Sequence, residues 1–147
     1  MNRLHQLVRS HLSESGRSSS FQPTTTPPLD LPFPIRVFIP ERYEASYAYP
    51  LVIWLHSQDS SEYELDGLMP HLSLRNYLAV AIRGSNPSRV GPRRFSWSCN
   101  PNATALVEEA IDEVIAATSQ QLNANPSHVF LAGFGIGGTL AQWIGLR

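Results

Sequence analysis

The chain has 147 residues, 42% of them hydrophobic and 16% charged, which bounds it to one globular domain. Eleven Lys and Arg against twelve Asp and Glu leave a formal net charge of -1, so there is no basic field to hold nucleic acid by counterion release. Cys99 is the only cysteine, which excludes an internal disulfide and a multi-cysteine zinc site and points to a reducing, cytoplasmic setting. No apolar run approaches the roughly 20 residues that cross a bilayer, so no membrane span is expected.

Near the N-terminus Arg3, Arg9 and Arg17 face a single acid, Glu14, while Leu4, Leu7, Val8, His11 and Leu12 fall at helical spacing. This reads as a short surface helix; the basic, serine-rich composition also resembles an organelle transit segment. Residues 13–31 carry Ser18-Ser19-Ser20, Thr24-Thr25-Thr26 and Pro23, Pro27 and Pro28. Such a stretch buries too little apolar surface to offset its ordering entropy. Residues 1–32 are therefore expected to be a disordered leader, and residues 33–147 the packed domain.

Ile35 to Ile39 is β-rich and closes at Pro40, as a strand near a sheet edge would. Tyr43, Tyr47 and Tyr49 follow in a polar connection. Leu51-Val52-Ile53-Trp54-Leu55 is apolar at every position, the mark of a strand covered on both faces and hence of a parallel sheet under helices. Ser61-x-x-Glu64 fits a capping box ahead of Leu65, Leu68, Met69 and Leu72, with Pro70 set to kink or end that helix. Tyr77 to Ile82 is a second buried strand, and a long loop runs from Gly84 through Cys99. Asn100 or Asn102 caps the next helix, with Pro101 suited to its first turn. Val107, Ala110, Ile111, Val114, Ile115, Thr118 and Leu122 form its apolar face, and Asn125-Pro126 stops it. The order of strands and helices predicts an α/β domain with a mainly parallel sheet.

Val129 to Ala132 then runs into Gly133-Phe134-Gly135-Ile136-Gly137-Gly138 and at once into a helical pattern at Leu140, Ala141, Trp143 and Ile144. The spacing Gly133-x-Gly135-x-Gly137 is the frame of a nucleophile elbow, G-x-S-x-G, with Gly135 standing where the serine belongs. Phe130-Leu131-Ala132-Gly133-Phe134-x-x-Gly137-Gly138 resembles the elbow of the phospholipase/carboxylesterase branch of the α/β-hydrolases. Leu51-Val52-Ile53-Trp54-Leu55-His56 resembles the strand ahead of that family's first oxyanion-hole loop. The likeness spans about residues 33–147. It implies a partial α/β-hydrolase fold without the C-terminal strands, a small carboxylic-ester substrate, and neither metal nor organic cofactor. By position, the oxyanion donors would be the backbone amides of Ile136 and of Ser57 or its neighbour Gln58, with His56 shaping the loop.

The resemblance also implies an acid and then a histidine after the elbow, and neither type follows Gly135 in this sequence. The chain is accordingly expected to be a truncated, inactive hydrolase. An elbow strand left without further neighbours predicts an exposed edge and self-association, which makes a non-catalytic interaction module the alternative. A dinucleotide-binding fragment is another, because Gly133-x-Gly135-x-x-Gly138 also satisfies G-x-G-x-x-G. His56, Asp59 and Glu62 are read as loop or capping groups in preference to metal ligands. Arg89, Arg93 and Arg94, with Phe95 and Trp97, are read as a solvated loop in preference to an anion site.

Overall fold

Tyr49–Leu55 (β2) is the strand on which the rest of the sheet is assembled, because it is paired on both edges. The computed structural model describes residues 29–147; the expected basic N-terminal helix and most of the expected leader lie outside them. Ile35–Phe38 (β1), Leu78–Ile82 (β3) and Ala124–Gly133 complete a four-stranded sheet. The third of these is β6, because the segment between β3 and it holds two short strands. These are Asn86–Pro87 (β4) and Phe95–Ser96 (β5), an antiparallel pair within what the sequence presents as loop. Sheet order is β1-β3-β2-β6, with β2 parallel to both neighbours and β1 antiparallel to β3.

The absence of alternation in β2 and β3 has its expected cause. Leu51, Ile53 and Leu55 share a face with Leu78, Val80 and Ile82 and pack under two helices, Pro101–Leu122 (α2) and Ile136–Gly145 (α3). Val52, Ala79 and Ala81 turn the other way, onto Leu65 and Met69 of Glu64–Leu72 (α1). The result is three layers, with both faces of the central strands dry. Leu29 is also buried against the larger core, and Leu31 and Phe33 pack beside it.

Several boundaries differ from the sequence reading, each for a local reason. Tyr49 belongs to β2 and not to the preceding connection; it is buried, and Tyr43 and Tyr47 lie against its ring. The Ser61–Glu64 capping box does not form. Tyr63 takes the cap position without a side-chain bond, because the Glu64 carboxylate is engaged elsewhere. Pro70 lies inside α1, which ends two residues later. Asn100, and not Asn102, caps α2, accepting from the Ala103 N–H at 2.9 Å. That helix stops before Asn125-Pro126: Asn123 adopts the left-handed conformation at φ 51° and supplies the turn. β6 is therefore longer than the apolar core of its sequence, starting at Ala124.

The chain leaves β2 towards β3 through α1, then returns past β2 to β6 through α2 on the opposite face. The carboxyl ends of β2 and β6 thus lie at a topological switch point, where open α/β sheets form their crevice. Ile53, fully buried between two parallel neighbours, tests the core that holds this arrangement. Ile53→Ala is expected to cost about 2–5 kcal/mol in urea unfolding.

Candidate functional site at the carboxyl ends of the strands

Three segments meet at this end of the sheet: His56-Ser57-Gln58 after β2, Gly84 after β3, and Gly133 to Gly138 after β6. The last is an elbow in its backbone. β6 ends at Gly133, Gly135 adopts φ 57° and ψ −125°, and α3 begins at Ile136. The other glycines are demanded by approach, not by torsion. A Cβ on Gly133 would stand 2.6 Å from the Leu55 oxygen and 2.6 Å from the Gly137 carbonyl carbon. One on Gly137 would stand 2.5 Å from the His56 oxygen and closer still to that of Leu55. One on Gly138 would meet the Gly133 oxygen at 2.9 Å. Around Gly135 nothing lies within 4 Å of that position. The space for a side chain is open, and no side chain is there.

The Ile136 N–H at the start of α3 takes no hydrogen bond among the described residues, as befits a first-turn amide. The Ser57 N–H is in a different state. It donates to both carboxylate oxygens of Glu64, at 3.3 and 3.2 Å, and the Ser57 hydroxyl donates to Oε2 at 2.5 Å. Trp54 Nε1 donates to Oε1 of the same carboxylate at 2.9 Å. Burial alone would raise the Glu64 carboxyl, but the hydrogen bonds from Ser57, Ser60 and Trp54 outweigh it and hold the group below its ordinary range. Glu64 is thus an internal anion seated on the amide that the sequence singles out after β2. The neighbouring Gln58 amide has no partner among the described residues, and its side chain is exposed in the turn.

His56 is fully buried. Its Nε2 accepts the Gly84 N–H at 2.9 Å, which requires that nitrogen to be unprotonated, so Nδ1 carries the proton and donates to the Ser57 carbonyl at 2.8 Å. Its own carbonyl accepts from Trp97 Nε1 at 2.8 Å, and the two rings lie 5.0 Å apart. Burial pushes the imidazole below its usual value; the Ser57 bond and the charges of Glu64 and Glu62 oppose that only in part. Beside it, Glu62 is 2% exposed and forms a two-point pair with Arg83, whose guanidinium lies 4.6 Å over the Phe95 ring. Burial would raise the Glu62 carboxyl too, and the Arg83 bond reverses the direction. The sequence offered no sign of this pair, since its members are 21 residues apart.

His56, Asp59 and Glu62 do not converge. Asp59 binds the Ser88 hydroxyl, and the other two have the partners just described. Among the described residues no three His, Cys, Asp or Glu side chains gather as a metal site. Arg94 reaches the Asp59 carbonyl at 2.9 Å, while Arg89 and Arg93 are exposed on the β4–β5 connection. Phe95 and Trp97 fold inward, onto Arg83 and His56.

No known sequence family and no curated protein matches this sequence. Solved structures do. A CE1 ferulic acid esterase from Anaeromyces mucronatus in complex with ferulic acid superposes with a TM-score of 0.54 at 18% identity, over 77% of this chain and 47% of the esterase. The same fungal esterase in the absence of substrate gives a TM-score of 0.55 at 18% identity, with equal coverage. The fold is a partial α/β-hydrolase fold, and the chain spans about half the length of these esterases.

The glycines separate into two classes with different sensitivities. Gly137→Ala drives a methyl into the β2 backbone and is expected to abolish cooperative unfolding or lower stability by well over about 3 kcal/mol. Gly135→Ala has room and meets only torsional strain, on the order of 1–3 kcal/mol. Thermal unfolding of both variants in parallel checks the order.

Proposed function

We propose that the chain is an ester-hydrolase scaffold of phospholipase/carboxylesterase type that does not itself hydrolyse esters. The observation that carries this reading is Gly135, which keeps the elbow's backbone and the open space of its side chain without any oxygen. Acyl transfer begins with attack of a nucleophile on the ester carbonyl, and a glycine at the apex has none to offer. Two further observations support it. The Ser57 amide, half of the expected oxyanion pair, is satisfied by Glu64, and a missing donor of that kind alone costs about 100- to 1,000-fold in turnover. His56 cannot serve as general base, because its Nε2 lone pair is committed to the Gly84 N–H.

What remains beside Gly135 is the Ile136 amide and, after β2, the Gln58 amide, neither with a partner among the described residues, and the exposed Phe134 ring. On this reading the unaltered chain is not labelled by a fluorophosphonate and leaves nitrophenyl acetate at the buffer rate. Gly135→Ser folds and is equally inert, since the His56 Nε2 is committed to Gly84 and the Ser57 amide to Glu64. Hydrolysis well above background by either form would overturn the proposal.

A second reading, a non-catalytic interaction module, is favoured by the outer edge of β6. Among the described residues this ten-residue strand is paired only with β2, and Phe130 on it is half exposed. Unpaired strand edges with apolar side chains recruit other strands, and a second copy of this chain is the occupant proposed here. Sedimentation velocity is expected to show concentration-dependent self-association that Phe130→Lys weakens. A monomer at every concentration would count against it.

A further inference from the structure

The buried histidine fastens three segments, and its chemistry makes the fastening sensitive to acid. Nδ1–H is donated to Ser57, Nε2 receives the Gly84 N–H, and the His56 carbonyl receives the Trp97 indole. Gly84 and Trp97 are the two ends of the segment that contains β4 and β5. That segment is otherwise held by the Ser60–Phe95 bridge, by Ser88 and Arg94 on Asp59, and by Phe95 under Arg83. Gly84 leaves no room to adapt, since a Cβ there would stand 3.2 Å from Nε2 and closer still to the Ser96 carbonyl.

We propose that His56 is a proton-sensitive latch that holds the Gly84–Trp97 segment closed over the carboxyl end of β2. A proton arriving at Nε2 removes the only acceptor for the Gly84 N–H and sets two N–H groups against each other. It also places a positive charge in a fully buried ring. The charged groups facing the ring are Glu62 ahead of α1 and Glu64 on α1, which favour the proton, and Arg83 at the end of β3, which opposes it. Trp97 from the β5 side and Gly137 from α3 contribute no charge. Glu62 is already matched by Arg83, and Glu64 by Ser57 and Trp54, so neither is free to close on the imidazolium. The segment opens, and His56 reaches water.

The direction with pH follows from linkage. In the open state the ring titrates near its ordinary value of about 6.5, and in the closed state below it, so the open state binds more protons in between. Closure is complete above that value and weakens as pH falls through the window.

Amide hydrogen exchange of the full chain, corrected for the intrinsic chemical rate, tests this directly. The opening constant at Gly84 and through Ser96 is expected to rise about tenfold per pH unit below about 6.5, levelling off once the closed state's own midpoint is passed. Amides of β2 and β3 are expected to keep their protection throughout. In His56→Gln, whose side-chain oxygen can receive the Gly84 N–H without titrating, the rise disappears. The proposal is overturned if segment opening is flat with pH, if segment and sheet lose protection together, or if His56→Gln keeps the slope. Should that variant not fold, the contrast between segment and sheet in the unaltered chain decides the matter.

Discussion

Backbone meets backbone where α3 starts against the end of β2, and the rest of the site depends on that contact. Gly133 and Gly137 have no side chains, so the first turn of α3 rests directly on the carbonyls of Leu55 and His56. No other residue type permits this approach. It sets the depth at which the elbow sits, the direction of the Ile136 N–H, and the position of the His56 carbonyl that receives Trp97. Both sides of the contact are rigid, because β2 is buried in the centre of the sheet and α3 packs Leu140 and Ala141 into the same core.

Elbow geometry and elbow chemistry are separable: Gly135 holds the torsions of the turn and carries no side chain. A serine at an elbow apex is held in a sparsely populated conformation by its surroundings, at a cost on the order of 1–3 kcal/mol. Glycine adopts the same torsions without that strain. The close approaches of Gly133, Gly137 and Gly138 do not depend on what occupies position 135. At position 135 the turn is therefore without backbone strain.

The polar neighbours point the same way. Glu64, Glu62 and His56 are each hydrogen-bonded by the protein itself. Buried ionisable groups persist only when paired or neutral. Glu62 and Glu64 are paired, and His56 stays neutral. The network makes the carboxyl end of the sheet a well-fastened structure.

Much of the architecture was legible in the chain. Unbroken apolar runs at 51–55 and 77–82, the spacing of Ile111, Val114, Thr118 and Leu122, and the glycine cluster after Leu131 foretold a layered parallel sheet and its elbow, since burial on two faces and close approach both leave marks in sequence. The glycine at position 135 was likewise plain. Tertiary structure alone decided where Glu64 points, because a capping box and a carboxylate turned back to Ser57 share one sequence pattern and differ only in which donor is nearer. It alone joined Glu62 to Arg83 and His56 to Gly84 and Trp97, across 21, 28 and 41 residues. Sequence periodicity records which face of an element is buried; which polar groups meet at the ends of the strands is set by how the elements are stacked.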